Sequence, residues 1–191
     1  LLQKFFEIWD QESPDIITGW NIETFDIPYL VNRAKRLFDA RKDPSKLLSP
    51  WRKVREYTMF GMGGKELQAY SIMGVETLDY LSTYRKFTYV NQESYRLDHI
   101  AFVELGERKL DYSEQGSLHL LYKNDYQKFI EYNIKDVELV EELDSKLKLL
   151  EMLVALAYLS KVNYGNTFGQ VRMWDTLIYN NLLRKNIVIP P

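Results

Sequence analysis

The stretch PDIITGWNIETFDIPYL, residues 14–30, decides how this chain folds. Adjacent apolar residues over Ile16 to Trp20 predict a short strand buried on both faces, as α/β sheets require. Pro28 fits the first turn of a helix running to about Phe38, with Arg33, Lys35 and Arg36 on its far side. Asp26 lies in the gap between strand and helix. Two readings of it stand side by side: a helix N-cap, or a ligand for something bound at the strand end.

Upstream, the apolar residues at 1, 2, 5, 6, 8 and 9 predict an amphipathic helix to about Trp9, followed by a turn at Ser13-Pro14-Asp15. Downstream, Arg41 to Pro50 reads as a polar loop. The runs Lys53 to Phe60 and Lys65 to Met73 flank Gly61-Met62-Gly63-Gly64 and predict a hairpin. The tip, Met62 and its glycines, is expected to project with few anchoring contacts. The glycine cluster lacks the spacing of a phosphate loop. Val75 to Tyr80 predicts another strand, about Asn124 to Leu159 a long helix broken once, and Trp174 to Lys185 a last helix. Helices and strands alternate, which points to an α/β fold around a mixed sheet.

Composition narrows the chemistry. The 191 residues are 46% hydrophobic and 27% charged, a globular balance of the size of one domain. With no cysteine, disulfides, thiolate zinc and cysteine nucleophiles are excluded. No apolar run approaches the ~20 residues of a membrane span. Net charge is −2, so a nucleic-acid partner has to be met by local patches. The two histidines, His99 and His119, are not at ligand spacing. An amphipathic helix starting at residue one without a Met is read here as the continuation of a longer chain.

A second acid stands out in FIEYNIKDVELVEEL, residues 129–143. At 100° per residue Asp136 points with Phe129, Tyr132, Val140, Leu143 and Leu147, in the middle of an apolar stripe. A carboxylate there is costly unless paired, hydrogen-bonded or bound to metal. It reads either as an Asp satisfied by an Arg or a backbone N–H, or as a functional group.

Taken together these segments resemble the 3′→5′ proofreading exonuclease domain of family B DNA polymerases, especially those of T-even-like phages. Residues 14–30 resemble that family's second exonuclease motif, N-x-x-x-F-D. YNIKDVELV (132–140) resembles the third, Y-x-x-x-D, about a hundred residues later. SYRLDHIAFVELGERKLDY (94–112) is similar to the segment leading to the third motif, and the hairpin to one found in phage members. VRMWDTLIYNNLLRKNIVIPP (171–191) is similar to the passage leaving the exonuclease region toward the polymerase palm.

The resemblance implies a ribonuclease-H-like α/β fold lacking its N-terminal strands, a mixed sheet flanked by helices and a β-hairpin insertion. It implies an exonuclease domain over 1–160 and a helical passage over 161–191. The implied activity is hydrolysis of 3′-terminal nucleotides of DNA with two Mg²⁺ or Mn²⁺ ions, oxygen-seeking cations suited to carboxylates. Asp26 and Asp136 are the implied metal ligands, and Tyr132 orients the attacking water. Asn21 and Phe25 shape the pocket for the terminal nucleotide, and Lys109 lies near the scissile phosphate. Implied partners are a single-stranded 3′ end, the rest of the polymerase chain and a sliding clamp, with no membrane, in the cytoplasm of a phage-infected cell.

One feature of the family's pattern has no match: its first motif, D-x-E. Asp10-Gln11-Glu12 has those letters but follows the first helix instead of preceding it. Two alternatives therefore stay open, a non-catalytic nucleic-acid-binding fragment and a stand-alone nuclease of the ribonuclease D type.

Overall fold

The computed structural model describes residues 1–39, 42–60, 64–109 and 118–188. The chain divides into two units, Leu1–Thr83 together with Met152–Pro191, and Tyr84–Glu151.

In the first unit, helix α1 (Leu2–Glu12) runs three residues past the predicted end. Ser13, in the left-handed region at φ 45, stops it and donates its N–H to the Trp9 carbonyl. Phe6 is fully buried, and the Trp9 indole donates to the Leu48 carbonyl at 2.9 Å. Strand β1 (Ile16–Gly19) forms where its apolar run predicts. Helix α2 (Asp26–Leu37) buries Ile27, Pro28, Val31 and Ala34, while Arg33, Lys35 and Arg36 stay exposed. That face closes a core with Phe6, Ile17, Leu48, Tyr70, Ile72 and Val75.

The polar loop expected over 41–50 contains, from Pro44 to Leu48, a 3-10 turn begun by Asp43, whose carboxylate accepts the Ser45 N–H at 2.9 Å. The hairpin is present: β2 (Val54–Phe60) and β3 (Glu66–Ile72) pair antiparallel from Val54↔Ile72 to Phe60↔Glu66. Its base is tied to α2 through Tyr70, whose hydroxyl donates to Asn32 at 2.7 Å and accepts from Lys35 at 3.0 Å. The expectation about Met62 lies outside the described residues, as do 61 and 63; Gly64 at the tip's end is exposed.

Strand β4 (Glu76–Asp79) runs parallel to β1, from Ile16↔Glu76 to Gly19↔Asp79. Parallel pairing needs a long crossover, which α2 and the hairpin supply. The single mixed sheet expected from the sequence is, among the described residues, two separate two-stranded sheets, β1-β4 and β2-β3. The turn at Gly74 (φ +89) lies between β3 and β4, which share no ladder among the described residues.

Helix α3 (Tyr80–Phe87) leads from β4 into the second unit, which holds α4 (Leu97–Leu105), α5 (Leu118–Asn124) and α6 (Tyr126–Leu147). Both α4 and α5 pack on α6. Asp125 caps α6 by accepting the Lys128 N–H at 3.0 Å. The buried side of α6 is Tyr132, Leu139, Val140 and Leu143, close to the predicted stripe. The expected single break falls at Lys148, φ 55, before α7 (Leu149–Ser160). Asp144 accepts the Leu150 N–H at 3.0 Å and starts the new helix. The last helix, α8, spans Gln170–Arg184.

Candidate active site

The site residues expected from the sequence fall in both units. In the first, β1 and β4 end side by side, and the segment from Trp20 to Phe25 crosses their carboxyl ends before α2 begins. Carboxyl ends of parallel strands are where α/β folds place ligands. This segment is braced internally. Asn21 takes φ 66, its carbonyl accepts the Phe25 N–H at 3.1 Å, and its side-chain oxygen accepts from the Thr24 hydroxyl. Phe25 is 65% exposed, an aromatic ring held out beside the start of α2.

Asp26 is the first residue of α2. The cap position belongs to Phe25, with no side-chain cap bond, so the capping reading of Asp26 is corrected here. Crowding by the packed segment pushes the Asp26 carboxyl above its ordinary value; its own backbone N–H opposes this, and the charge of Asp79 adds to it. Asp79, which sequence reasoning passed over, is 4% exposed. Its two carboxylate oxygens accept the Glu23 N–H at 3.1 Å and the Ser82 N–H at 3.0 Å. Only the apolar–acid alternation at Leu78-Asp79 hinted at it, and that pattern is common at strand ends.

Glu23, Glu76, Asp79, Ser82, Asn163 and Gly165 line a cleft of about 470 Å³ in this unit. Burial raises the Glu76 carboxyl, the Gly165 N–H lowers it, and the Glu23 charge raises it again.

In the second unit, three of the expected residues meet. The Lys109 ammonium donates to Asp136 Oδ2 at 2.7 Å and to the Tyr132 hydroxyl at 3.3 Å, and lies 5.2 Å from the Tyr132 ring centre. Tyr132 is one turn before Asp136 on α6, as its i, i+4 spacing demands. The Lys109 N–H is anchored to Asp98 at 3.0 Å. Burial disfavours the Lys109 charge, but the bond and charge of Asp136, then those of Tyr132, outweigh it and raise the ammonium's pKa. Among the described residues Asp136 has a lysine on one oxygen, and neither an Arg nor a backbone N–H. Its other oxygen, Oδ1, is buried and has no hydrogen-bond partner among the described residues. An acceptor-only oxygen left in that state is satisfied by a cation or a donor from outside.

The donor chemistry at Asp26 and Asp136, carboxylate oxygen alone, suits Mg²⁺ or Mn²⁺ and no soft metal. Among the described residues no group of three or more His, Cys, Asp or Glu side chains is arranged to hold a metal ion.

Residues 1–100 match the family model described as DNA polymerase family B, exonuclease domain. The whole chain is 38% identical to the DNA-directed DNA polymerase of Escherichia phage RB69 and 36% identical to that of Enterobacteria phage T4. It spans 20% and 21% of the length of those two relatives. DNA polymerase II of Escherichia coli K12 is 26% identical over the full chain, which covers 24% of it. Strand, braced segment, acid-headed helix and Lys–Tyr–Asp cluster thus sit in a chain that belongs to the exonuclease domain family of the family B DNA polymerases.

Proposed function

We propose that this chain is the 3′→5′ proofreading exonuclease part of a phage-type DNA polymerase, with a ribonuclease-H-like fold over 1–160 and a helical passage toward the palm over 161–191. The observation that carries the reading is the Lys109–Tyr132–Asp136 cluster, with one Asp136 oxygen paired and the other buried and, among the described residues, without a hydrogen-bond partner. Its substrate is the single-stranded 3′ end of DNA, in the cytoplasm of an infected cell, and the rest of the polymerase and a sliding clamp are its partners.

In this reading Asp26 and Asp136 hold the divalent cations, Mg²⁺ or Mn²⁺. Such ions, when bound, activate water and stabilise charge on a leaving oxygen. The chain's own groups do the rest. The Tyr132 hydroxyl, pinned by Lys109, orients the attacking water. The Lys109 ammonium, drawn to Asp136, offers its charge to the anionic phosphate. Phe25 stacks on the terminal base, as exposed aromatics do in single-strand binding, and Asn21 fixes the segment that carries it. Hydrolysis forms one bond from the water oxygen to phosphorus and breaks the bond to the 3′ oxygen. That oxygen leaves with a proton, and a nucleoside monophosphate is released.

The test is a 3′-labelled single-stranded oligonucleotide digested by the polymerase that carries this chain, with Mg²⁺ or Mn²⁺. Asp26→Ala and Asp136→Ala are each expected to lower the rate ~10³-fold or more, a loss of several kcal/mol of transition-state stabilisation. Residues 1–191 alone, with two carboxylates for two dications, are expected to show no appreciable activity. Undiminished digestion by Asp136→Ala would refute the reading and favour a non-catalytic, DNA-binding role.

A further inference from the structure

Apolar packing holds part of the segment that delivers Asp26, through Ile22 against the core and the Trp20 ring 6.3 Å from that of Tyr80, but its backbone at Glu23 is left for hydrogen bonds to fix. Asp79 is the group placed to do so. It ends β4 in register with Gly19, the last residue of β1, and the segment from Trp20 onward therefore starts directly beside it. At 4% exposure its carboxylate is out of water, a costly placement unless both oxygens are bonded.

Both are bonded, and to different ends. Oδ1 accepts the Ser82 N–H at 3.0 Å, the i, i+3 geometry of a helix cap for α3. A serine would make that bond equally well. Oδ2 accepts the Glu23 N–H at 3.1 Å, fifty-six residues away in sequence and three residues before Asp26. Capping α3 does not need this second bond. Glu23 is held from a second direction too: its side chain accepts the Tyr57 hydroxyl of β2 at 2.5 Å. The backbone beyond Glu23 is in turn locked by the Phe25 N–H on the Asn21 carbonyl and the Ile27 N–H on the Ile22 carbonyl, both at 3.1 Å.

We propose that Asp79 is a positioning residue for the exonuclease reaction, holding the Glu23 backbone and through it the place of Asp26. This rests on the proposed role of Asp26. A carboxylate at 4% exposure is unfavourable for folding unless its oxygens are bonded. A fork that straps two backbone segments at once is what that arrangement supplies and a serine cap does not.

The experiment compares Asp79→Ser and Asp79→Asn with the unaltered polymerase carrying this chain. Serine keeps the α3 cap but is too short to reach Glu23; asparagine keeps one acceptor oxygen. The readouts are kcat and KM on a single-stranded oligonucleotide, and hydrogen exchange of the peptide spanning residues 20–26. Asp79→Ser is expected to lower kcat about 10- to 100-fold, the scale for misplacing a reacting group by an ångström, with KM changed less than about twofold. Exchange in 20–26 should accelerate while α3 keeps its protection. Asp79→Asn should lie between, and it carries the test if the serine variant fails to fold. A kcat within about twofold of the unaltered protein in Asp79→Ser, or unchanged exchange in 20–26, overturns the proposal. Asp26→Ala run in parallel separates the two readings: if it stays active the site itself is misread, and if it is inactive while Asp79→Ser is normal, only the positioning role falls.

Discussion

Replacing Lys109 by methionine keeps the stem and removes the ammonium that satisfies Asp136. The magnitude follows from the geometry. The ion pair is short, 2.7 Å, and its side chains are 23% and 29% exposed. Exposed pairs contribute ~0.2–1 kcal/mol, whereas breaking a fully buried pair costs about 3–5 kcal/mol. A pair about a quarter exposed falls between, so Lys109→Met should destabilise the chain by about 1–2 kcal/mol after solvent screening is allowed for. For a chain of this size that is a fall in Tm of about 2–8 °C. Asp136→Ala should cost less, because it also removes the buried oxygen Oδ1, which has no hydrogen-bond partner among the described residues. The assay is thermal unfolding at pH 7 of both single variants and the double variant. A coupling energy near 1 kcal/mol is expected; a value under about 0.3 kcal/mol, within ordinary additivity, refutes the argument. So does an Asp136→Ala variant less stable than Lys109→Met.

Two further outcomes concern Glu76 and Gly74 in the first unit. Glu76 is raised above 4.5 in the folded state by burial, so its folded form prefers to be neutral; stability present below 4.5 is lost as pH rises through the raised value. Glu76→Gln, always neutral, should therefore unfold at a higher temperature than the parent chain at pH 7, with the gain vanishing below pH 4.5, as a melting series across pH would record. Gly74→Ala meets both a left-handed backbone (φ +89) and Pro50 Cγ at 2.7 Å from the new Cβ, whereas Gly106 (φ +77) has nothing within 4 Å. Gly74→Ala should accordingly cost more than the ~1 kcal/mol of backbone strain expected for Gly106→Ala, measured by denaturant unfolding.

The sequence alone determined the local elements. Period-2 and period-3.6 patterns are set by backbone geometry, so β1, α2, the hairpin strands and the α6–α7 pair were legible within a few residues. Tyr132 and Asp136 had to share a face because four residues make about one turn. The tertiary structure decided what no periodicity carries. It gave Asp136 a lysine partner twenty-seven residues away and, among the described residues, no hydrogen-bond partner for its second oxygen. It moved the cap of α2 from Asp26 to Phe25. It split the strands into two sheets, because register between strands depends on partners far apart in the chain. And it turned Asp79, in sequence an ordinary acid at a strand end, into a buried fork between Glu23 and Ser82, since only folding brings a carboxylate within bonding distance of a backbone N–H fifty-six residues away.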